Sequence, residues 1–142
     1  MTFSARRSLR ILILVLLLQA AKPACAEYLR IQLKVYGLDC ELCARGLSTS
    51  IGRLAGIEGV KVSLKSGMLD ISLARGNKLK LSDVRRRVRE NGFRPMDATV
   101  TAVGRFKGSR FEILGLGELY DLRHQESQSA GTAPVEVTFN VR

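Results

Sequence analysis

Two cysteines, Cys40 and Cys43, stand three positions apart in the stretch Gly37-Leu38-Asp39-Cys40-Glu41-Leu42-Cys43. Sulfurs at that spacing can act as a pincer for a soft metal ion or as the two halves of a redox-active dithiol. Cu(I) and Hg(II) are content with the near-linear coordination that two thiolates provide, whereas Zn(II) usually takes four ligands. A disulfide over so short a loop removes almost no chain entropy, so the pair is not a source of stability. Asp39 is the candidate third ligand, a hard oxygen donor whose charge favours divalent ions such as Zn(II), Cd(II) or Pb(II) over Cu(I). The same carboxylate is also a favoured helix N-cap.

These residues need a strand-to-helix junction to hold them. From Tyr28 to Tyr36 the apolar Leu29, Ile31, Leu33 and Val35 alternate with Tyr28, Arg30, Gln32, Lys34 and Tyr36, the pattern of a half-buried strand. Gly37 breaks it. Leu47, Ile51 and Leu54 then follow at helical spacing and predict a helix from about Cys43 to Leu54. Gly46 and Gly52 each cost that helix about 1 kcal/mol against alanine, so packing must hold it. One sulfur thus comes from the loop and one from the first helical turn, where unpaired N–H groups and the helix dipole favour thiolate over thiol.

Val60, Val62 and Leu64, a Ser66-Gly67 turn, and Leu69, Ile71 and Leu73 predict a hairpin. Ser82 as N-cap, Asp83 in the first turn, an inner face of Leu81, Val84 and Val88, and Gly92 as stop predict a second, short helix. Phe93 and Pro95 open another extended run. The order is that of an α+β, ferredoxin-like βαββαβ sandwich over residues 27–97, two helices on a four-stranded antiparallel sheet. Residues 98–142 read as a small C-terminal all-β extension: two strands around a Lys107-Gly108-Ser109 turn, with Gly115 and Gly117 allowing a bulge, then a polar loop from His124 to Pro134 and a last strand from Val135 to Val141. It is too small for a large core of its own, and either packs on the first domain or forms a minimal meander.

The 142 residues suffice for one ordinary domain, and 46% apolar with 25% charged residues describe a folded chain. Residues 1–26 differ in character. They carry Arg6, Arg7, Arg10 and Lys22 without an acid, an apolar run from Ile11 to Leu18, and a closing Ala24-Cys25-Ala26. These are the parts of a secretory signal peptide cut after Ala26, too short in its apolar run to span a bilayer. Arg6-Arg7 hints at twin-arginine export, but the leucine-rich core fits the general secretory route better, and Lys22-Pro23-Ala24 is a poor approach to a lipidated Cys25. The mature protein is then expected in the periplasm or secreted, with no integral membrane segment. Its charge falls from +10 to +6, and only Cys40 and Cys43 remain.

The Gly37–Cys43 stretch resembles the G-M-x-C-x-x-C loop of heavy-metal-associated domains, the module of copper chaperones, metal-pumping ATPase tails and periplasmic mercuric-ion binding proteins. Leu47, Ile51 and Leu54 match that module's first-helix stripe, Gly59–Leu64 its second strand, and Asn91-Gly92-Phe93 the aromatic turn near its metal loop. The resemblance covers about Leu29 to Met96. It implies one soft heavy-metal ion, Cu(I), Hg(II) or Zn(II), held by Cys40 and Cys43, and a metal-transporter or metallochaperone partner. Leu38 stands where the family has Met, which packs under the loop. Asp39 replaces a common Thr or Ser and resembles the D-C-x-x-C of some zinc-ATPase domains.

The competing class is a thiol-redox or interaction module using the same pair, although a thioredoxin-like chain expects a Trp beside its motif and this one has none. No nucleophile–base arrangement, phosphate-binding glycine loop or catalytic zinc set is legible, so no enzyme is expected. The Arg85–Arg89 cluster reads as a solvated helix face, or as a docking surface for an acidic partner. Nucleic acid is not an expected partner of an exported protein. His124, the single histidine, reads as an exposed loop residue.

Overall fold

A computed structural model describes residues 27–113, 115–122 and 135–142. The expected signal segment, residues 1–26, and the polar loop from His124 to Pro134 lie outside the described residues. The elements are β1 (Tyr28–Tyr36), α1 (Glu41–Gly52), β2 (Ile57–Ser63), β3 (Met68–Leu73), α2 (Leu81–Glu90), β4 (Arg94–Lys107), β5 (Arg110–Ile113), β6 (Glu118–Asp121) and β7 (Val135–Val141).

The first four strands run in the order β2-β3-β1-β4, all antiparallel, as a split βαβ unit requires. The sheet does not stop at four. It counts seven strands, with β5 and β6 continuing from the end of β4 and β7 also pairing with β4. β4 passes without interruption through residue 97, where the sequence suggested a division, and its 14 residues serve both halves of the molecule. The extension therefore packs on the first unit and is continuous with its sheet.

Ile31, Leu33 and Val35 of β1 are buried as the alternation predicts, with Leu69, Ile71 and Leu73 of β3 and Ala98, Val100 and Ala102 of β4. α1 adds Ala44, Leu47 and Ile51, and α2 adds Leu81, Val84 and Val88. At about 1.5–3 kcal/mol for each large apolar side chain, the buried face of α1 outweighs the cost of its two glycines. Tyr28 breaks the alternation: it is fully buried and Leu29 is only half-buried. The register between β1 and β4 shifts between Tyr28 and Arg30, so a bulge turns Tyr28 onto the core face.

The second helix starts earlier than its Ser82 signal. Lys80 is the N-cap residue, and its N–H donates to the Asp83 carboxylate at 3.3 Å, while Ser82 lies exposed inside the helix. The Arg85–Arg89 cluster is not a uniform solvated face. Arg85 donates to the carbonyls of Met96, Val141 and Arg142, clasping the end of β7 to α2. Arg86 and Arg87 engage Asp83 and Glu90.

The extension brings an aromatic cluster. Phe139, opposite Val100 on the helix-side face, packs edge-on against Phe111 at 5.7 Å and tilted against Tyr120 at 4.9 Å, and Phe111 meets Phe106 at 5.2 Å. Gly104 makes room for this: a Cβ there would lie 2.3 Å from Glu112 O and 2.7 Å from the Phe111 ring. The Tyr28 hydroxyl donates to the Glu118 carboxylate and shares a 2.6 Å hydrogen bond with the Tyr120 hydroxyl. Burial, reinforced by these bonds, pushes the Tyr28 phenol far above its ordinary pKa, so it stays a neutral donor. Replacing Phe139 by alanine removes the centre of the cluster, and a loss of about 3–5 kcal/mol is expected in urea unfolding monitored by circular dichroism.

Candidate metal centre

Gly37 ends β1 with φ +86°, a conformation open to glycine at little cost, and so turns the chain out of the sheet. Phe93, whose ring lies 3.9 Å from where a Gly37 Cβ would stand, packs beside this turn. Leu38 is 5% exposed and anchors the loop from below, the place its family counterpart implies. The next three residues deliver the chain to the start of α1.

Cys40 is the N-cap of α1, with extended backbone at φ −122° and ψ 146°. Its sulfur accepts the Cys43 N–H at 3.0 Å, and its carbonyl accepts the Ala44 N–H at 3.0 Å. The helix thus begins at Glu41, one turn fraction ahead of the predicted start, and both cysteines belong to its N-terminal end. Cys40 and Cys43 are half-buried, and Cys43 packs against the core cluster. The two sulfurs are joined in a disulfide with the Cα atoms 5.2 Å apart. This is the oxidised form of the pair: two electrons and two protons convert it to the dithiol, and loss of protons gives the thiolates that a metal requires.

Asp39 is exposed and does not cap the helix, since the Cys40 sulfur holds that position. Its side chain makes no hydrogen bond or ion pair within the described residues. The structure places it beside Cys40, but no group of three or more His, Cys, Asp or Glu side chains able to hold a metal forms among the described residues. Glu41 is in the first helical turn, where its charge suits the dipole, and it pairs with Arg45 at 2.7 Å. Both partners are largely exposed, so this pair contributes little to stability.

The sequence pattern does not single out the apolar rim around the loop. Leu42, between the cysteines, is 81% exposed, Tyr36 is 70% exposed and Met96 is 44% exposed. Tyr36, Leu38, Asp39 and Met96 line one open cleft of about 800 Å³ beside the loop. Leu42 carries the one readable signal, being an apolar residue off the Leu47–Ile51 stripe. No described helix is long and apolar enough to cross a membrane.

No family model matches the chain. Over 61 residues it is 31% identical to the copper chaperone CopZ of Bacillus subtilis (strain 168), a match spanning 43% of this chain and 87% of that protein. Among solved structures, a CopZ metallochaperone superposes with a TM-score of 0.45 at 18% identity, covering 47% of this chain and 98% of that one. Oxidized MerP from Ralstonia metallidurans CH34 does so with a TM-score of 0.45 at 16% identity, covering 49% and 94%. By its identity to CopZ across most of that protein's length, and with its cysteine pair in the loop between β1 and α1, the chain belongs to the heavy-metal-associated domain family.

Proposed function

We propose that the protein is an exported carrier that captures one soft heavy-metal ion between reduced Cys40 and Cys43 and relays it to a metal-transporter or metallochaperone partner. The observation that carries this reading is the placement of both sulfurs at the N-terminus of α1, with a backbone N–H already donated to the Cys40 sulfur. There the helix dipole and free N–H groups stabilise thiolate, the form that binds Cu(I), Hg(II) or Zn(II). Relatedness to a copper chaperone supports the same reading. The exposed Leu42, Tyr36 and Met96 leave apolar surface around the loop for a partner to cover while the ion changes hands. Such a protein binds and passes on its cargo and catalyses no reaction of its own.

The disulfide favours a second reading, thiol–disulfide exchange through the same pair. The two part on metal stoichiometry after reduction. Under reducing conditions the wild type is expected to bind one Cu(I) or Hg(II) per chain, and Cys40→Ser with Cys43→Ser to bind none, measured by competition with a chromophoric chelator. Serine is the appropriate substitute because its oxygen can keep the N-cap, whereas alanine at Cys40 would add a helix penalty of about 1 kcal/mol. Full metal content in the double variant would place the site elsewhere. A strongly oxidising potential with exchange on other proteins would favour the redox reading.

Asp39 is proposed as a third donor that biases the pincer toward divalent ions. Its freedom from the capping role supports this, because the carboxylate is available to a metal at no cost to the helix. Asp39→Asn is expected to lower Zn(II) affinity by an order of magnitude or more, roughly 1.4 kcal/mol, with Cu(I) affinity and the melting temperature nearly unchanged. Equal small losses for both ions would return the site to two cysteines alone.

A further inference from the structure

The stretch from Ala74 to Ser82, which joins β3 to α2, carries Arg75, Lys78 and Lys80 and no acidic residue. Asn77 and Leu79 are buried, while the three bases around them are exposed. The Asn77 amide donates to the carbonyls of Tyr28 at 2.7 Å and Ala74 at 2.9 Å, and its oxygen accepts the Leu79 N–H at 3.3 Å. The Gly76 N–H donates to the buried Glu27 carboxylate, and the Ala74 N–H to the Gly56 carbonyl at 2.9 Å. Gly56 lets the two segments meet, since a Cβ there would lie 2.7 Å from that of Asn77. The bases are therefore presented on a backbone that is already tied down, and a ligand need not order it.

A cleft of about 580 Å³ opens here between the residues that follow α1 and the first turn of α2. Leu54 and Leu79 make part of its wall apolar, and Arg75, Lys78 and Arg86 line it against one acid, Asp83, which is already paired with Arg86 at 3.0 Å. The side chains of Lys78 and of Arg53, the exposed C-cap of α1, make no hydrogen bond or ion pair among the described residues. Arg75 is 80% exposed and has only Glu27 at 3.8 Å. Uncompensated cations around a concave, partly apolar wall fit the carboxylates of a peptide, with small apolar side chains covered between them. A bilayer surface would not enter the cleft, and none of the exposed large apolar side chains, Tyr36, Leu42, Leu64, Met96 and Leu119, lies in these segments to insert into it. The geometry points to a docking site for an acidic segment of a partner protein, held by Arg53, Arg75 and Lys78. Through Asn77 the site is bonded to the first residue of β1, so it lies at the opposite end of that 9-residue strand from the Gly37–Cys43 loop. The separation along the strand is roughly 27 Å. A partner bound there leaves the cysteines uncovered, so one protein can hold the chain while another meets its loop. This site does not depend on the metal reading.

The test titrates the isotope-labelled full chain with a synthetic peptide of Asp-Glu-Ala-Leu repeats and follows backbone amides by NMR, so that basic residues elsewhere do not enter the readout. The amides of Gly76, Lys78 and Lys80 are expected to shift and those of Cys40 and Cys43 to stay, while an Asn-Gln-Ala-Leu peptide shifts none. Arg75→Gln with Lys78→Glu is expected to weaken binding roughly tenfold or more, glutamine at position 75 avoiding a second carboxylate beside Glu27. Arg89→Gln with Lys65→Glu makes the same change in net charge at the loop end of the molecule, and is expected to alter binding less than about twofold. Circular dichroism establishes that both variants are folded. Equal losses in the two variants, or shifts at Cys40 and Cys43 in place of those at Gly76 and Lys78, would overturn the inference. So would capture of the chain by phosphatidylglycerol vesicles without binding of the acidic peptide. Uptake of Cu(I) by the reduced Arg75→Gln, Lys78→Glu variant is expected to match the wild type, so a failure of docking leaves the metal reading standing.

Discussion

Burial of Leu47 and Ile51 in the cluster formed with Ile31, Leu33, Leu69 and Ile71 fixes the rotation of α1 about its own axis. That rotation determines which way the first helical turn faces, and hence where Cys40 and Cys43 present their sulfurs. A helix with two glycines in 12 residues would not hold such a geometry by itself. Leu38 and the turn at Gly37 complete the constraint from the strand side. The loop that carries the Cys40–Cys43 disulfide is thus pinned at both ends by apolar burial.

The extension stabilises the same core from the opposite end of the sheet. A minimal four-stranded unit would leave β4 as an edge with unpaired backbone groups. Here β7 covers that edge over residues Ala98 to Gly104, and Arg85 holds its end through the carbonyls of Val141 and Arg142 while also reaching that of Met96 on β4. The aromatic cluster around Phe139 and the buried hydroxyl of Tyr28 join β1, β6 and β7 into one interior. The Gly37–Cys43 loop stands at the far end of β1 from this cluster, so enlarging the core leaves the loop uncovered.

Much of the first unit was legible because it obeys simple periods. The Ile31-Leu33-Val35 and Leu69-Ile71-Leu73 alternations and the Leu81-Val84-Val88 stripe all fell on the buried faces that they predict. The inward turn of Tyr28 was not legible, since a bulge inserts one residue without any mark in the alternation. Lys80 as N-cap escaped notice because the cap hydrogen bond runs from its backbone to Asp83, so side-chain type carries no signal. Cys40 as cap was hidden behind the more usual Asp39. The oxidation state of the pair belongs to electrons and not to residue order. Pairing of β7 with β4 joins segments some 40 residues apart, beyond what local pattern encodes.

The bond between Tyr28 and Glu118 spans 90 residues. Contacts of such separation raise the contact order, and chains dominated by them fold more slowly than local helical bundles because loop closure must come before the reward. The N-terminal strand therefore cannot reach its final packing until the chain has been made as far as Glu118. Folding from the N-terminus as the chain emerges, available to a compact four-stranded unit, is not available to this one in full. The C-terminal strands make the folding of β1 a late event and keep the N-terminal region open for longer.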